Sequence, residues 1–332
     1  MANRIKVGIS TYNDYEYLGM LLQSIDWYTV VDEPFDIVVC DDGSRPELLG
    51  SVDNPDSIRG ICSKFGATLV ENGTNKGIPA AWNQLVTSLG GPAEINVILN
   101  NDILVVPNWL RVIIHFLTAN KDNPHVSSTF WNPYNNFPKE AMKSVLPNLW
   151  HTNYASFDQV TGKPLSHSVG NLLTIREGQG QGLGRVMCPC GCCFAARGDV
   201  FTTVGIFKEE LLSFHEETVW GVLCAKAGRA AFGFAYPRPY HKWGAAFHDN
   251  PELQHSFRME HSRKLFREMF NVPSDIGLHE YLPWVNSQFM PQIPLTKLKY
   301  LRPDYDLPPD TRILKGGETV QLPALVEFEE EF

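Results

Sequence analysis

Long apolar runs are missing from this 332-residue chain, and no window approaches the roughly 18 consecutive apolar residues that a membrane span needs. No transmembrane segment is therefore expected. The opening MANRIKVGIS passes from a short polar leader directly into an apolar strand pattern, without the apolar core of a secretory signal, so a cytoplasmic protein is expected. An excess of positive charge is missing as well. Lys and Arg number 28 against 37 Asp and Glu, a net charge of −9, which gives no general attraction to nucleic acid or an anionic membrane and leaves only a local basic groove for such partners. Cysteine is scarce and odd in number, seven in all, with Cys40 and Cys224 inside apolar segments. That pattern favours reduced thiols over a secreted disulfide framework. Internal repeats and low-complexity tracts are absent. No glycine-rich, basic phosphate loop follows the first strand, where the residues are STYND, which counts against a nucleotidyltransferase.

What is present suits a large soluble core, with 43% hydrophobic and 20% charged residues. The chain is organised around Ile95–Asp102, INVILNND, an apolar run that ends in two asparagines and an aspartate. Consecutive apolar positions read as a strand buried on both faces of a parallel sheet. Ligands of open α/β sheets bind beyond the carboxyl ends of strands, so Asn100, Asn101 and Asp102 are candidates to meet a divalent cation carrying a diphosphate; an Asx-rich turn is the plainer alternative.

Around that strand the pattern alternates. Lys6–Ile9 predicts a strand, Leu18, Leu21, Leu22 and Ile25 a helix, Phe35–Cys40 a second strand ending in DDGS, Ile58–Phe65 a helix, and Ala67–Glu71 a third strand. A helix through Ala80, Ala81 and Leu85 then leads to the organising strand, and a further helix is expected over Pro107–Ala119, with its proline in the first turn. The fold class is α/β, with a mostly parallel central sheet flanked by helices and right-handed crossovers. From Val126 to Arg185 periodicity is poor, as in FWNPYNNF, NLWHTNYASF and REGQGQGLGR, and a loop-rich region of this length is usually functional. The expected organisation is 1–125, 126–271 and, as an irregular, Pro-rich C-terminal extension and the expected place for homodimer contacts, 272–332.

Four fragments in order, VGISTYNDYEYL, VVCDDGS, ENGTNKGIPAAWN and ILNNDILVVPNWL, resemble the inverting family 2 glycosyltransferases of the GT-A, Rossmann-like fold. The resemblance implies a nucleotide-diphosphate sugar as donor and Mn²⁺ or Mg²⁺ as cofactor, with 1–125 as the nucleotide-sugar-binding half, 126–271 as the acceptor-binding and catalytic half, and the loop-rich region from Val126 to Arg185 as the expected acceptor surface. It places Ser10, Tyr12 and Asn13 in the loop at the nucleoside and makes Asp42 the acid that accepts a hydrogen bond from the base. Lys76 and Gly77 pass beside the diphosphate with Asn83 near the nucleotide. Asn100, Asn101 and Asp102 stand where the family carries Asp-x-Asp, so Asp102 alone keeps a carboxylate for the metal.

Later segments extend the likeness. CPCGCC, with Cys188, Cys190, Cys192 and Cys193, has neither finger nor ribbon spacing and would present ligands on opposite faces of an expected strand, so the cysteines read as packing residues rather than a zinc site. Gly191 is expected to let the backbone approach the donor sugar. Ser213 and Glu216 have capping-box spacing. Glu217 matches the family's general base, with glutamate in place of the usual aspartate, and Glu216 is carried beside it as a catalytic candidate. His241 matches a histidine near the metal. The basic run Arg258, Arg263, Lys264 and Arg267 reads as a solvated helix face within a helix over Phe257–Phe270. Lack of Gln-x-x-Arg-Trp argues for single transfers to an acceptor hydroxyl on a glycan, lipid-linked saccharide or protein. A viral-type transfer to a hydroxymethylated pyrimidine of DNA and a non-catalytic sugar-nucleotide or glycan-binding protein are the alternatives.

Overall fold

The computed structural model describes residues 4–131, 133, 139–146, 183–186, 188–234, 239–242, 244–273, 275–276, 298, 301–303, 310–313, 319–322 and 325–327. An eight-stranded sheet forms its centre. In chain order its strands are β1 (Ile5–Thr11), β2 (Phe35–Asp41), β3 (Thr68–Glu71), β4 (Ile95–Asn100), then, after a two-residue β5 (Ile103–Leu104) that lies outside it, β6 (Val126–Trp131), β7 (Leu183–Val186), β8 (Cys193–Arg197) and β9 (Ala230–Phe234). The spatial order is β3-β2-β1-β4-β8-β6-β9-β7. Strands β3, β2, β1, β4, β6 and β9 run one way, and β8 and β7 run against them.

The first half follows the alternation read from the sequence. Helices α1 (Tyr15–Tyr28), α2 (Pro46–Leu49), α3 (Ile58–Phe65), α4 (Ile78–Thr87) and α5 (Trp109–Ala119) connect its strands. Buried apolar residues of α1, α3, α4 and α5 join one core with Val7, Ile9, Val39 and Ile98, whereas α2 buries none and Tyr17, Met20 and Tyr28 of α1 belong to a second, smaller cluster. Helix α1 is capped by Asp14, whose carboxylate accepts from the Tyr17 N–H at 2.9 Å. The α5 boundary differs from expectation. Asn108 takes a left-handed conformation (φ 66°) as the N-cap, so Pro107 lies before the helix instead of in its first turn.

The second half departs further from the sequence reading. Strand β6 lies deep in the sheet although its sequence, VSSTFW, carries no strand alternation, and all six residues are buried. Its serines bond locally, the Ser127 hydroxyl donating to the Ala230 carbonyl at 2.8 Å and lying 3.3 Å from that of Ser128, while the buried Thr129 hydroxyl makes no hydrogen bond among the described residues. Helix α6 (Lys139–Val145) also interrupts the stretch read as irregular. The expected strand over the cysteine cluster starts only at Cys193; Pro189, with no N–H to give a ladder, falls in the non-strand segment before it. Most of the acceptor-surface expectation, over 147–182, and most of the C-terminal extension lie outside the described residues. Helix α7 (Gly198–Thr203), helix α8 (Glu216–Lys226), strand β10 (Tyr240–His241), helix α9 (Ala245–Asp249) and helix α10 (His255–Phe270) complete the body. No helix among the described residues is long and apolar enough to cross a membrane.

Candidate active site

Parallel pairing brings three strand ends to one rim. Register places Ser10 beside Cys40 on one side and Asn100 on the other. The Asp42 N–H then donates to Thr11 O and the Asn100 N–H to Cys192 O, each at 2.9 Å, so the loops leave the sheet together. They open into a cavity of about 630 Å³ lined by Ser10, Tyr12, Asp42, Gly77, Asn100, Asn101, Asp102, Gly191, Glu216, Glu217 and His241 among others. These eleven candidates sit far apart in sequence, and tertiary structure gathers them at the place where open α/β sheets bind ligands.

Asp42 is buried and already engaged. One of its oxygens accepts from Asn72 Nδ2 (2.8 Å) and the Lys76 N–H (3.0 Å), and the other from the Gly77 N–H (2.8 Å). Burial drives its pKa upward against those bonds. A carboxylate so held fixes the turn at Gly77, which itself needs glycine. Its φ is +95°, and a Cβ there would lie 2.1 Å from Leu212 O.

The Asp102 and His241 pair is made by the short β5–β10 ladder, in which Ile103 faces His241. His241 Nε2 lies 3.3 Å from Asp102 Oδ1, with both side chains buried. Burial works to raise the Asp102 carboxyl, but the charge and hydrogen bond of His241, with backbone N–H bonds, hold it below the usual carboxylate value. Asn101 turns away from this pair to donate to Thr11 Oγ1 at 3.1 Å. Among the described residues no cluster of three or more His, Cys, Asp and Glu is able to hold a metal alone. One carboxylate and one imidazole do suit Mn²⁺ or Mg²⁺ when substrate oxygens complete the shell.

The same cavity is lined by a pair of glutamates in the first turn of α8. The expected capping box is absent: the N-cap is His215 in a left-handed conformation (φ 63°), and the Ser213 hydroxyl bonds to Leu212 O instead. Leu212 and Phe214 also have positive φ, so the entry to α8 winds in a way that carries the Ser213 side chain off the helix axis. Glu216 is buried, and its Oε2 has no hydrogen-bond partner among the described residues. Burial, then the neighbouring Glu217 charge, pushes its pKa well above the carboxylate range. Burial pushes Glu217 up to about 7. Gly191 abuts this residue: a Cβ at 191 would come within 3.1 Å of Trp82 Cη2 and 3.3 Å of Glu217 Oε2. Cys190 and Cys192 flank it as buried thiols with sulfurs 3.3 Å apart.

Three candidates stand outside the cavity lining. Asn13 is a structural pin; its amide donates to Asn250 Oδ1 (2.8 Å) and accepts from the Arg45 N–H (2.8 Å). Asn83 is another, with its amide spent on both backbone groups of Phe207 and on Glu209. Lys76 is exposed, and its backbone rather than its ammonium reaches Asp42. The basic run on α10 also needs correction. Arg258 and Arg263 line the cavity, while Lys264 pairs with Glu268 and Arg267 donates to the carbonyls of Pro273 and Ile276. Phe214, Phe247 and His255, packed together with ring centroids 4.9–5.0 Å apart, complete the wall and were not foreseen. Helical spacing of Arg258 with Ser262, whose hydroxyl meets the carbonyls of Leu211 and Ser213, was the one available signal that α10 docks on the loop before α8.

Comparison with known proteins agrees with this architecture. Mannosyltransferase PcManGT from Pyrobaculum calidifontis, solved in complex with GDP-Man and Mn²⁺, superposes with a TM-score of 0.51 at 15% identity, covering 86% of this chain and 70% of that one. GalNAc-T7, solved with UDP, GalNAc and Mn²⁺, gives 0.54 at 16%, covering 86% and 56%. TarS from S. aureus gives 0.50 at 16%, covering 90% and 45%. This chain thus spans about half the length of the latter two, and at such identities the likeness is one of fold. No curated protein matches it in sequence. The sequence profile described as Glycosyl transferase family 2 matches residues 6–204, more than half of the chain. The chain is therefore a member of glycosyl transferase family 2, a glycosyltransferase of the GT-A fold.

Proposed function

We propose that the protein transfers one sugar from a nucleotide-diphosphate sugar to an acceptor hydroxyl, with inversion at the anomeric carbon and with Mn²⁺ or Mg²⁺ as cofactor. The observation that carries this reading is one cavity lined by two differentiated acidic groups: Asp102 paired with His241, and Glu216 beside Glu217 in the first turn of α8. Solved glycosyltransferases of the same fold hold nucleotides and Mn²⁺, which supports the donor and cofactor assignments.

Asp102 and His241 would hold the cation, which when bound offsets the charge that develops on the departing diphosphate. Asp42, fixed by Asn72 and the Lys76–Gly77 backbone, presents its remaining acceptor capacity to the nucleoside, with Ser10 and Tyr12 alongside. Gly191 leaves room next to Glu217 for the donor sugar. Glu217 is the base. A carboxylate poised near neutrality takes the proton of the acceptor hydroxyl as that oxygen attacks the anomeric carbon from the face opposite the diphosphate. Glu216, held neutral, leaves Glu217 as the one ionised group of the pair.

The test is a thermal-shift panel of nucleoside diphosphates and nucleotide sugars, with and without Mn²⁺. A nucleotide-selective rise in Tm that grows with the metal is expected, because a ligand of the folded state stabilises it by mass action. Absence of any nucleotide effect sinks the reading. Inversion is checked separately, by NMR of the anomeric configuration in the product.

A further inference from the structure

We propose that Arg258 is the cation that meets the diphosphate of the donor, in the place that sequence resemblance suggested for Lys76. The inference rests on the nucleotide-sugar reading above. It begins with charge. Four carboxyl side chains, Asp42, Asp102, Glu216 and Glu217, line the cavity. A diphosphate adds about two further negative charges and needs positive partners beyond one divalent ion.

Among the described residues lining the cavity, Arg258 and Arg263 are the Lys or Arg side chains. Lys76 is exposed and absent from that lining. Arg263 is largely exposed, with its guanidinium 3.3 Å from Glu260. Arg258 is half-buried and held from two sides. Its Nη2 donates to Asn75 Oδ1 at 2.8 Å, and its Nη1 donates to Ser213 Oγ at 3.4 Å. Two of the five N–H groups of a guanidinium are thereby used, and three remain for a ligand.

The anchor points matter. Asn75 immediately precedes Lys76 and Gly77, and its backbone packs on Gly43, next to Asp42. Ser213 stands at the entry to the helix that carries Glu216 and Glu217. The guanidinium therefore spans the loop on the nucleoside side and the loop on the catalytic side, and a diphosphate linking nucleoside to sugar must cross the same interval. Because both hydrogen bonds already fix the planar fork, little side-chain entropy is left to lose when it engages phosphate oxygens in parallel. Arg258 lies beyond residue 204, where the match to the family profile ends.

The experiment measures affinity by calorimetry at fixed Mn²⁺ for UDP against uridine and GDP against guanosine, using the whole chain, Arg258→Ala, Arg258→Gln and Lys76→Ala. Loss of charge-assisted bonds to phosphate corresponds to a drop of about 10- to 100-fold. That drop is expected for the diphosphate with Arg258→Ala, with the nucleoside weakened by less than about threefold. Arg258→Gln, which keeps a polar group for Asn75 and Ser213, is expected to show the same split, so a folding defect in the alanine variant does not decide the matter. Lys76→Ala is expected to change diphosphate affinity by less than about twofold. Equal losses for nucleoside and diphosphate, or a larger loss with Lys76→Ala than with Arg258→Ala, overturn the assignment. If the unaltered chain binds none of these and the wider panel of nucleoside diphosphates and nucleotide sugars also gives no effect, the nucleotide-sugar reading itself fails and this inference falls with it.

Discussion

Replacing Glu217 by Gln is expected to abolish turnover and yet stabilise the fold above neutral pH. Burial holds this carboxyl at about 7, against 4.5 for a solvated glutamate. Its folded-state pKa is raised, so the fold binds the proton more tightly than the unfolded chain does. The stability this contributes is fully present below pH 4.5, declines between 4.5 and 7, and is gone above 7. At about 1.4 kcal/mol per pH unit, the ionised side chain costs about 3 kcal/mol at pH 8 as an upper value. Glutamine has the same shape and no charge to desolvate, so Glu217→Gln is expected to melt a few degrees higher than the unaltered chain at pH 8, with little difference at pH 5. Turnover is expected to fall by about 10²- to 10⁴-fold, the usual contribution of a general base. In the unaltered enzyme kcat is expected to rise with pH through about 7. Denaturant or thermal melts at the two pH values, with steady-state rates, check all three statements. A variant that keeps its turnover, or that gains no stability at pH 8 relative to pH 5, refutes the reasoning that a desolvated carboxylate is kept there for its basicity.

Other perturbations probe the remaining stations. Gly191→Ala puts a methyl 3.1 Å from the buried Trp82 ring and 3.2–3.3 Å from the Glu217 carboxyl; because Trp82 is locked in the core, Glu217 gives way. Turnover is expected to fall about tenfold with stability changed by about 1 kcal/mol, read by kcat and Tm together. Asn83→Ala strands the buried N–H and carbonyl of Phe207, so it is expected to cost about 2 kcal/mol in denaturant unfolding while nucleotide affinity stays within about twofold. Asp102→Asn, or chelation of the unaltered enzyme by EDTA, is expected to remove Mn²⁺-dependent stabilisation by nucleotide, measured by thermal shift; persistence of that stabilisation in the variant speaks against Asp102 as a metal ligand.

The organising strand was legible because β4 is buried on both faces, and a strand so placed must be apolar at every position before its polar end. The same logic exposed β1, β2 and the helices between them. It failed at β6, where Ser127 bonds to the Ala230 carbonyl and Ser128 to the Ser127 hydroxyl, which puts a polar sequence into the middle of the sheet. It failed too at Ser213, whose spacing to Glu216 fits a capping box that the left-handed turn through Phe214 and His215 does not allow. Positive φ at non-glycine residues leaves only a weak mark in residue type, an enrichment of Asn, Asp and His that fits His215 but not Leu212 or Phe214.

Residue identity by itself determined which chemistry was on offer: carboxylates at 42, 102, 216 and 217, and an imidazole at 241. Tertiary structure alone decided which of these share a cavity and in what state. The β5–β10 ladder sets His241 against Asp102, and burial raises the pKa of both Glu216 and Glu217, with the Glu217 charge adding to the rise at Glu216. Docking of α10 trades the exposed Lys76 for a half-buried Arg258. Local sequence sets what a segment can become, whereas proximity, desolvation and the sharing of hydrogen bonds arise only between segments distant along the chain.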